Sequence, residues 1–225
     1  MLEVTTSSHL NKPVAASPLW LRIGFWICTL IAVAVVLRRV LALVNPPRSA
    51  PVQMAALDEV FASHTALTLG HVLPALGFVV IAPFVIFRKS LTVSWAERIL
   101  YPLGLTVGIT AYAMSAYSVG GWIERSAVFL FNTLFLFSLM RAWQFRRRSL
   151  VMQTRRWLLR AIVILLGIAT TRPVMGILFA TASLTHLTPG QFFGIAFWIG
   201  FSINAIVIEC WLRSQYWKTQ WIAKA

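Results

Sequence analysis

The 225-residue chain contains 59% hydrophobic and only 12% charged residues, and its formal net charge is +14. Soluble domains contain roughly 25% charged residues, so this composition excludes a soluble globular protein and indicates a polytopic membrane protein. The positive charge does not indicate nucleic-acid binding, because the basic residues lie at the ends of apolar segments and no nucleic-acid-binding motif accompanies them.

Apolar segments of about 20 residues, the length that a helix needs to cross a bilayer, recur along the chain. Each ends at charged residues or at a stretch rich in Pro, Gly and Ser. We predict six spans, with an amino-terminal tail at 1–19 and a carboxy-terminal tail at 213–225: about 20–43, 64–87, 98–119, 126–145, 157–181 and 190–212. The predicted fold is an all-α transmembrane bundle, in which spans two to five form a four-helix core and spans one and six pack outside it.

The distribution of basic residues predicts the orientation of these spans. With the amino terminus inside, fifteen of the twenty Lys and Arg residues fall on the inner side. The positive-inside rule therefore predicts that both termini are cytoplasmic. Arg38 and Arg39 are exceptions at the outer end of the first span, and we expect their side chains to extend to the lipid headgroups.

The segment from Arg141 to Arg160 contains seven arginines between the fourth and fifth spans. Each basic residue near an anionic membrane surface contributes about 1 kcal/mol to binding. We therefore expect this segment to bind anionic lipid headgroups. A binding site for a protein partner on the same segment is the alternative.

Arg172 lies inside the fifth apolar segment, where a charge costs several kcal/mol unless it faces a partner, a ligand or water. The helical rise places Arg172 about 22 Å from the inner end of its span and His71 about 10 Å from the outer end of its own. These depths are similar, and Ser115, Tyr117 and Asn132 reach the same layer. The sequence predicts that these five residues line a polar pocket that opens outward.

Two interpretations of Arg172 follow from its sequence. In the first interpretation, backbone carbonyls and hydroxyls accept the hydrogen bonds of the Arg172 guanidinium. A helix break at Pro173 would help, because it frees a carbonyl one turn earlier. In the second interpretation, the planar fork of donors of Arg172 binds an anionic or quinone-like headgroup.

Near the inner surface, Glu209 and Arg160 lie at one level, so we predict a structural ion pair between them.

Motifs of catalysis and metal binding do not occur in the sequence. Cys28 and Cys210 lie within apolar segments, without the spacing of a metal site or a disulfide framework. A bis-histidine haem needs two imidazoles on facing helices at one depth, and His71 is the one histidine well placed within the spans. We therefore predict no catalytic residue, no metal ligand and no cofactor.

A set of residues spread over about 60–212 resembles the bacterial membrane-protein family catalogued as domain of unknown function 2306. Its most specific stretch is matched by Arg155, Arg156, Trp157, Arg160, Thr170 and Arg172, and further matches are His71, Pro83, Arg88, Tyr101, Gly120, Gly121, Trp198, Asn204 and Glu209. Two of the family's three histidines are replaced here, by Ser94 and Thr154. The resemblance implies a protein of the bacterial cytoplasmic membrane and supplies no reaction.

The sequence thus favours a non-enzymatic multi-pass protein with an outer-leaflet pocket for a small or lipid-like ligand, or a scaffold for a partner. The alternative is a membrane redox protein that carries haem b or a quinone, similar in architecture to cytochrome b561. The two missing histidines weaken the haem form of that alternative.

Overall fold

The computed structural model describes residues 18–45, 52–87, 95–185 and 187–224. Within these ranges the chain is helical and contains no strand, which confirms the predicted all-α bundle. Most of the amino-terminal tail, Arg88 and Ser94 lie outside the described residues. The helices are α1 Leu19–Val44, α2 Val52–Ser63, α3 Thr65–Ile86, α4 Trp95–Ser115, α5 Gly121–Arg147, α6 Val151–Leu165, α7 Gly167–Ala180, α8 Ala182–Thr185 and α9 Pro189–Lys224.

Five stretches of the described chain are long and apolar enough to cross a membrane: α1, α3, α5, α6 together with α7, and α9. They correspond to five of the six predicted segments. The remaining predicted segment forms α4, which is more polar at its start because Glu97 and Arg98 lie in its first turns. Large apolar side chains such as Leu30, Ile109 and Ile206 are exposed on the outside of the bundle, as expected for surfaces that face lipid.

The helices α3, α4, α5 and α6 pack against one another in chain order, but the sixth predicted span, α9, belongs to the same ring rather than lying outside these four helices. The bundle is closed by α9, which packs against α5, α6 and α7, and by α1, which packs against α3 and α7. Fully buried side chains at the interfaces include Phe78, Leu100, Leu158 and Ile162. The result is a ring of helices around a central space.

Glycines allow α9 to approach the other helices closely. A Cβ atom at Gly200 would lie 2.7 Å from the backbone nitrogen of Thr171 in α7. A Cβ atom at Gly194 would lie 2.7 Å from Cβ of Ile123 in α5. Small residues at such crossings let two backbones come into direct contact, which is a common means of helix packing in membranes.

The break in the fifth predicted span lies earlier than the sequence indicates. We expect it at Thr171–Pro173, but the boundary between α6 and α7 falls at Leu166, and Pro173 is inside α7. The proline ring clashes with the carbonyl four residues earlier, at Ala169, so Pro173 does not by itself account for a boundary at Leu166. Gly167, directly after the boundary, also leaves room for the ring of Phe201 from α9.

The stretch before the second span is not an open loop, because it contains α2. Asp58 on this helix pairs with both arginines at the end of α1: Arg38 Nη2 lies 3.0 Å from Asp58 Oδ2, and Arg39 Nη1 contacts Asp58 Oδ1. Arg39 also lies over the Phe61 ring, with its Cζ 3.9 Å from the centroid. The sequence did not indicate this carboxylate partner, which α2 brings within reach of both arginines. The extension of their side chains to headgroups stays a prediction, and Arg38, with a side chain that is 42% exposed, is the more accessible of the two.

Candidate functional site

A cavity of about 270 Å³ lies inside the ring of helices. Its walls come from α1, α3, α4, α5, α6, α7 and α9, and the end of α2 contributes to its rim. All five side chains that the sequence predicts for the polar pocket line this cavity: His71, Ser115, Tyr117, Asn132 and Arg172. The structure thus brings together residues from α3, α4, α5, α7 and the turn after α4.

The two ends of this cavity differ in character. The end near α2, here called the polar end, is lined by Arg39, His64, Tyr117, Glu124 and Arg172. The other end, here called the apolar end, is lined by Leu76, Val79, Phe135, Ile164 and Leu165. Along α3 the lining extends from His64 to Val79, which corresponds to about 22 Å of helix. Such an elongated cavity, charged at one end and apolar at the other, matches the shape of an amphiphile.

Arg172 supplies an incompletely bonded cation at the polar end. Its Nη1 donates to the sulfur of Met175 at 3.7 Å, and a thioether is a weak acceptor. Its Nε is buried and has no hydrogen-bond partner among the residues that the structure describes. No hydrogen bond from Arg172 to a backbone carbonyl occurs in the described part of the chain, so the first interpretation of Arg172 has no support there. The guanidinium retains donors for another acceptor.

His71 is held in one orientation by α4. Its Nδ1 lies 2.9 Å from the Thr110 hydroxyl. That hydroxyl lies 2.6 Å from the Thr106 carbonyl, to which it donates its single hydrogen. We infer that Thr110 accepts from Nδ1–H of His71, so that Nε2 is the ring nitrogen that can accept a hydrogen bond.

The remaining predicted residues are tied to the backbone or to a neighbouring ring. Asn132 Nδ2 donates to the Gly108 carbonyl at 2.9 Å, which joins α5 to α4 and leaves the amide oxygen as an acceptor. Ser115 donates to the Tyr112 carbonyl at 2.7 Å within its own helix. Tyr117 packs on His64, with ring centroids 3.7 Å apart, at the rim of the cavity.

Two charged residues at the polar end, Glu124 and Arg39, were not part of the predicted site. Glu124 lies in the first turn of α5, and its Oε2 accepts from the backbone N–H of Gly120 at 2.6 Å. The predicted fourth span begins at 126, so the sequence places Glu124 in a loop. The helix in fact begins at Gly121. Its N-cap residue is Gly120, which makes no side-chain cap, so the usual Ser, Thr, Asp or Asn signal is missing at that position.

The charges at the polar end do not balance. The charged groups that act on Arg172 are Arg38, Arg39 and Glu124. Asp58 pairs with the first two of these. Arg125 also acts on Glu124, and its Nε donates to the hydroxyl of Ser118, which lines the cavity. Guanidinium groups therefore outnumber carboxylates among these residues.

The predicted inner ion pair lies at the opposite end of the bundle, away from the cavity. Arg160 Nε donates to Glu209 Oε2 at 3.0 Å, and Arg213 Nε donates to the other carboxylate oxygen at 3.1 Å. Arg160 also lies over the ring of Trp157 at 4.5 Å. Nearby, Asn204 of α9 accepts from Thr170 and donates to the Val163 carbonyl. These contacts join α9 to α6 and α7, so the ion pair of Arg160 and Glu209 is part of the packing between these helices.

No group of three or more His, Cys, Asp or Glu side chains that could hold a metal occurs within the described residues. Two histidines line the cavity, His64 and His71, and they are seven residues apart at the start of α3. Bis-histidine ligation requires two imidazoles on opposite faces of the haem plane, and two residues on one side of a bundle do not provide this.

The sulfur of Cys28 lies 3.8 Å from the Thr170 hydroxyl, in the contact between α1 and α7.

Comparison with known family models, curated proteins and solved structures finds no match for this chain. The resemblance to domain of unknown function 2306 thus stays a prediction from the sequence.

Proposed function

We propose that this chain is a multi-pass protein of the bacterial cytoplasmic membrane that binds a small or lipid-like ligand in the central cavity. The observation that supports this most strongly is Arg172, whose buried Nε lacks a partner among the described residues while its side chain lines the cavity. A buried cation without a protein acceptor is costly in a membrane, and a bound acceptor would remove that cost.

The proposed topology has six spans with both termini in the cytoplasm. Its support is the excess of basic residues on the inner side and the position of α4 between α3 and α5, both of which are apolar enough to span. In this orientation the polar end of the cavity opens toward the outer leaflet. The seven arginines from Arg141 to Arg160 then face the anionic inner surface.

Binding rather than catalysis fits the polar groups of the cavity. The hydroxyl of Ser115 is bonded to a backbone carbonyl, and Nδ1 of His71 is bonded to Thr110. A nucleophile paired with a base is the usual signature of covalent catalysis, and these two side chains are instead fixed separately. They can orient a ligand through single hydrogen bonds.

A cavity-filling variant tests this function directly. Ala111 of α4 lines the cavity, whereas Ala113 is exposed on the same helix. We expect the wild-type protein in lipid nanodiscs to bind decylubiquinone or dodecanoate, measured by calorimetry and by a rise in Tm. Ala111→Phe should abolish this binding and Ala113→Phe should retain it. Equal binding by both variants, or no binding of either probe to the wild type, would refute the proposal.

A membrane redox protein that uses haem b or a quinone is the second candidate. Its support is that Arg172 and His71 line the same cavity. The donor fork of Arg172 suits a quinone oxygen, and Nε2 of His71 can accept a hydrogen bond from the hydroxyl of the reduced quinol. An absorption spectrum decides the haem form, because a Soret band that shifts on reduction would establish it. Spectroelectrochemical titration decides the quinone form, with the electrode as the source of electrons: a shifted reduction potential of decylubiquinone bound to wild type, lost in Arg172→Gln, would establish it.

A further inference from the structure

The uncompensated charge at the polar end restricts the chemistry of the ligand. A neutral headgroup would leave the excess positive charge of Arg38, Arg39 and Arg172 over Asp58 and Glu124 in place. An acidic headgroup would balance it, and a guanidinium binds a carboxylate or a phosphate through two parallel hydrogen bonds. The arrangement therefore favours an anion over a neutral quinone or alcohol.

The two carboxylates at the same end restrict the number of charges on that headgroup. Glu124 lines the cavity together with Arg172, so a ligand with two negative charges would meet repulsion from a fixed carboxylate. A carboxylate carries one negative charge, whereas a phosphate monoester carries closer to two at neutral pH and would be repelled more strongly by Glu124.

The apolar end restricts the rest of the ligand. Leu76, Val79, Phe135, Ile164 and Leu165 provide walls without charge beyond the layer of His71 and Asn132. The cavity volume of about 270 Å³ lies near the lower end of the range for small-molecule pockets, roughly 300–1,000 Å³. This volume suits one hydrocarbon chain better than the two chains of a phospholipid.

We propose that the ligand is a single-chain monoanionic amphiphile of the fatty-acid class, with its carboxylate at Arg172 and its chain toward Val79 and Phe135. This inference rests on the proposed function. Beyond that function, it specifies one negative charge on the headgroup of the ligand and one hydrocarbon chain. The free amide oxygen of Asn132 and Nε2 of His71 lie between the two ends and provide acceptors, which disfavour a second anionic group there.

The test compares three probes that share one chain: dodecanoate, methyl dodecanoate and dodecyl phosphate. Binding to the protein in nanodiscs is measured by calorimetry, with empty nanodiscs as the reference for partitioning into lipid. A hydrogen bond to a charged group contributes more than a neutral one, so we expect dodecanoate to bind at least tenfold more tightly than its methyl ester. Dodecyl phosphate at pH 8 should bind more weakly than dodecanoate.

Arg172→Gln removes the charge and retains a polar side chain, although a shorter one. It should lower the affinity for dodecanoate to that for the ester and leave the ester affinity unchanged, which also shows that the cavity has folded. Arg213→Gln, at an arginine whose side chain is 75% exposed near the inner end of α9, is the control and should retain the preference.

The outcomes separate this inference from the proposed function. If the ester binds as tightly as dodecanoate to the wild type, or if dodecyl phosphate binds more tightly, the inference is wrong and ligand binding in the cavity stands. If none of the probes binds, and decylubiquinone also fails to bind, the proposed function is wrong as well.

Discussion

Nδ1 of His71 lies 2.9 Å from the hydroxyl of Thr110, so a hydrogen bond between α3 and α4 fixes the imidazole beside the cavity. The Thr110 hydroxyl also lies 2.6 Å from the Thr106 carbonyl and 3.1 Å from the Val107 carbonyl of its own helix, from which we infer that Nδ1 of His71 carries the proton. The cavity thus has one nitrogen of His71 committed to the protein and one available to a ligand.

Replacement of Thr110 by Val should therefore weaken the wall of the cavity. Val keeps the shape of Thr and removes the acceptor, so we expect a loss of roughly 0.6–1.7 kcal/mol in the free energy of unfolding, the range for hydrogen bonds between membrane helices. Thr106→Val is the matched control, because the Thr106 hydroxyl is exposed and bonds only its own helix, to Pro102. Equal losses in unfolding free energy for the two variants would contradict the assigned role of Thr110.

Asp58 should hold α2 against the end of α1. Asp58→Asn leaves Arg38 and Arg39 without their carboxylate, and breaking a partly buried pair costs about 1–3 kcal/mol. Amide hydrogen exchange at 58–63 should then accelerate by roughly tenfold or more, with no change in the middle of α5. Unchanged exchange in α2 would show that other contacts hold this helix in place.

The contact between α9 and α7 should not tolerate a methyl group at Gly200. The added carbon would meet the backbone of Thr171 at 2.7 Å, and a backbone cannot move aside as a flexible side chain does. We expect Gly200→Ala to destabilise the protein by about 1–3 kcal/mol. At Gly176 in α7 a Cβ atom meets nothing within 4 Å, so Gly176→Ala should be neutral or stabilising by up to about 1 kcal/mol. Thermal unfolding of the two variants measures this difference, and a tolerated Gly200→Ala would argue against the close crossing.

The two arginines that contact Glu209 should differ in their contributions. Arg160 is 23% exposed and also packs on Trp157, whereas Arg213 is 75% exposed. An exposed ion pair contributes little, so Arg213→Gln should change the unfolding free energy by less than about 0.5 kcal/mol, and Arg160→Gln should lower it by about 1–2 kcal/mol. The reverse order in unfolding experiments would show that the pair with Arg160 is not the structural one.

The sequence was sufficient for the long apolar helices and for the grouping of five polar residues, because apolar length and helical rise are local properties. Five residues predicted to share one layer do line one cavity. The depth of a residue in its span does not show which way its side chain points around the helix axis, however. It also does not show how a short connecting helix packs against its neighbours. For this reason α2, the Asp58 pair and the cavity-lining positions of Glu124 and Arg39 were found only in the structure. The break was predicted at Thr171–Pro173 but lies at Leu166, beside the close contact of Gly167 with Phe201 of α9, and the sequence does not show that contact.

Photo-cross-linking tests the central claim most directly, since it locates the ligand. Dodecanoic acid that carries a diazirine at the end of its chain is irradiated with the protein in nanodiscs, and the labelled peptides are identified by mass spectrometry. We predict labels at the apolar end of the cavity, on Val79, Phe135 or Ile164, and their loss in Ala111→Phe. Labels confined to lipid-facing residues such as Leu30 and Ile109, and unchanged in Ala111→Phe, would contradict the account.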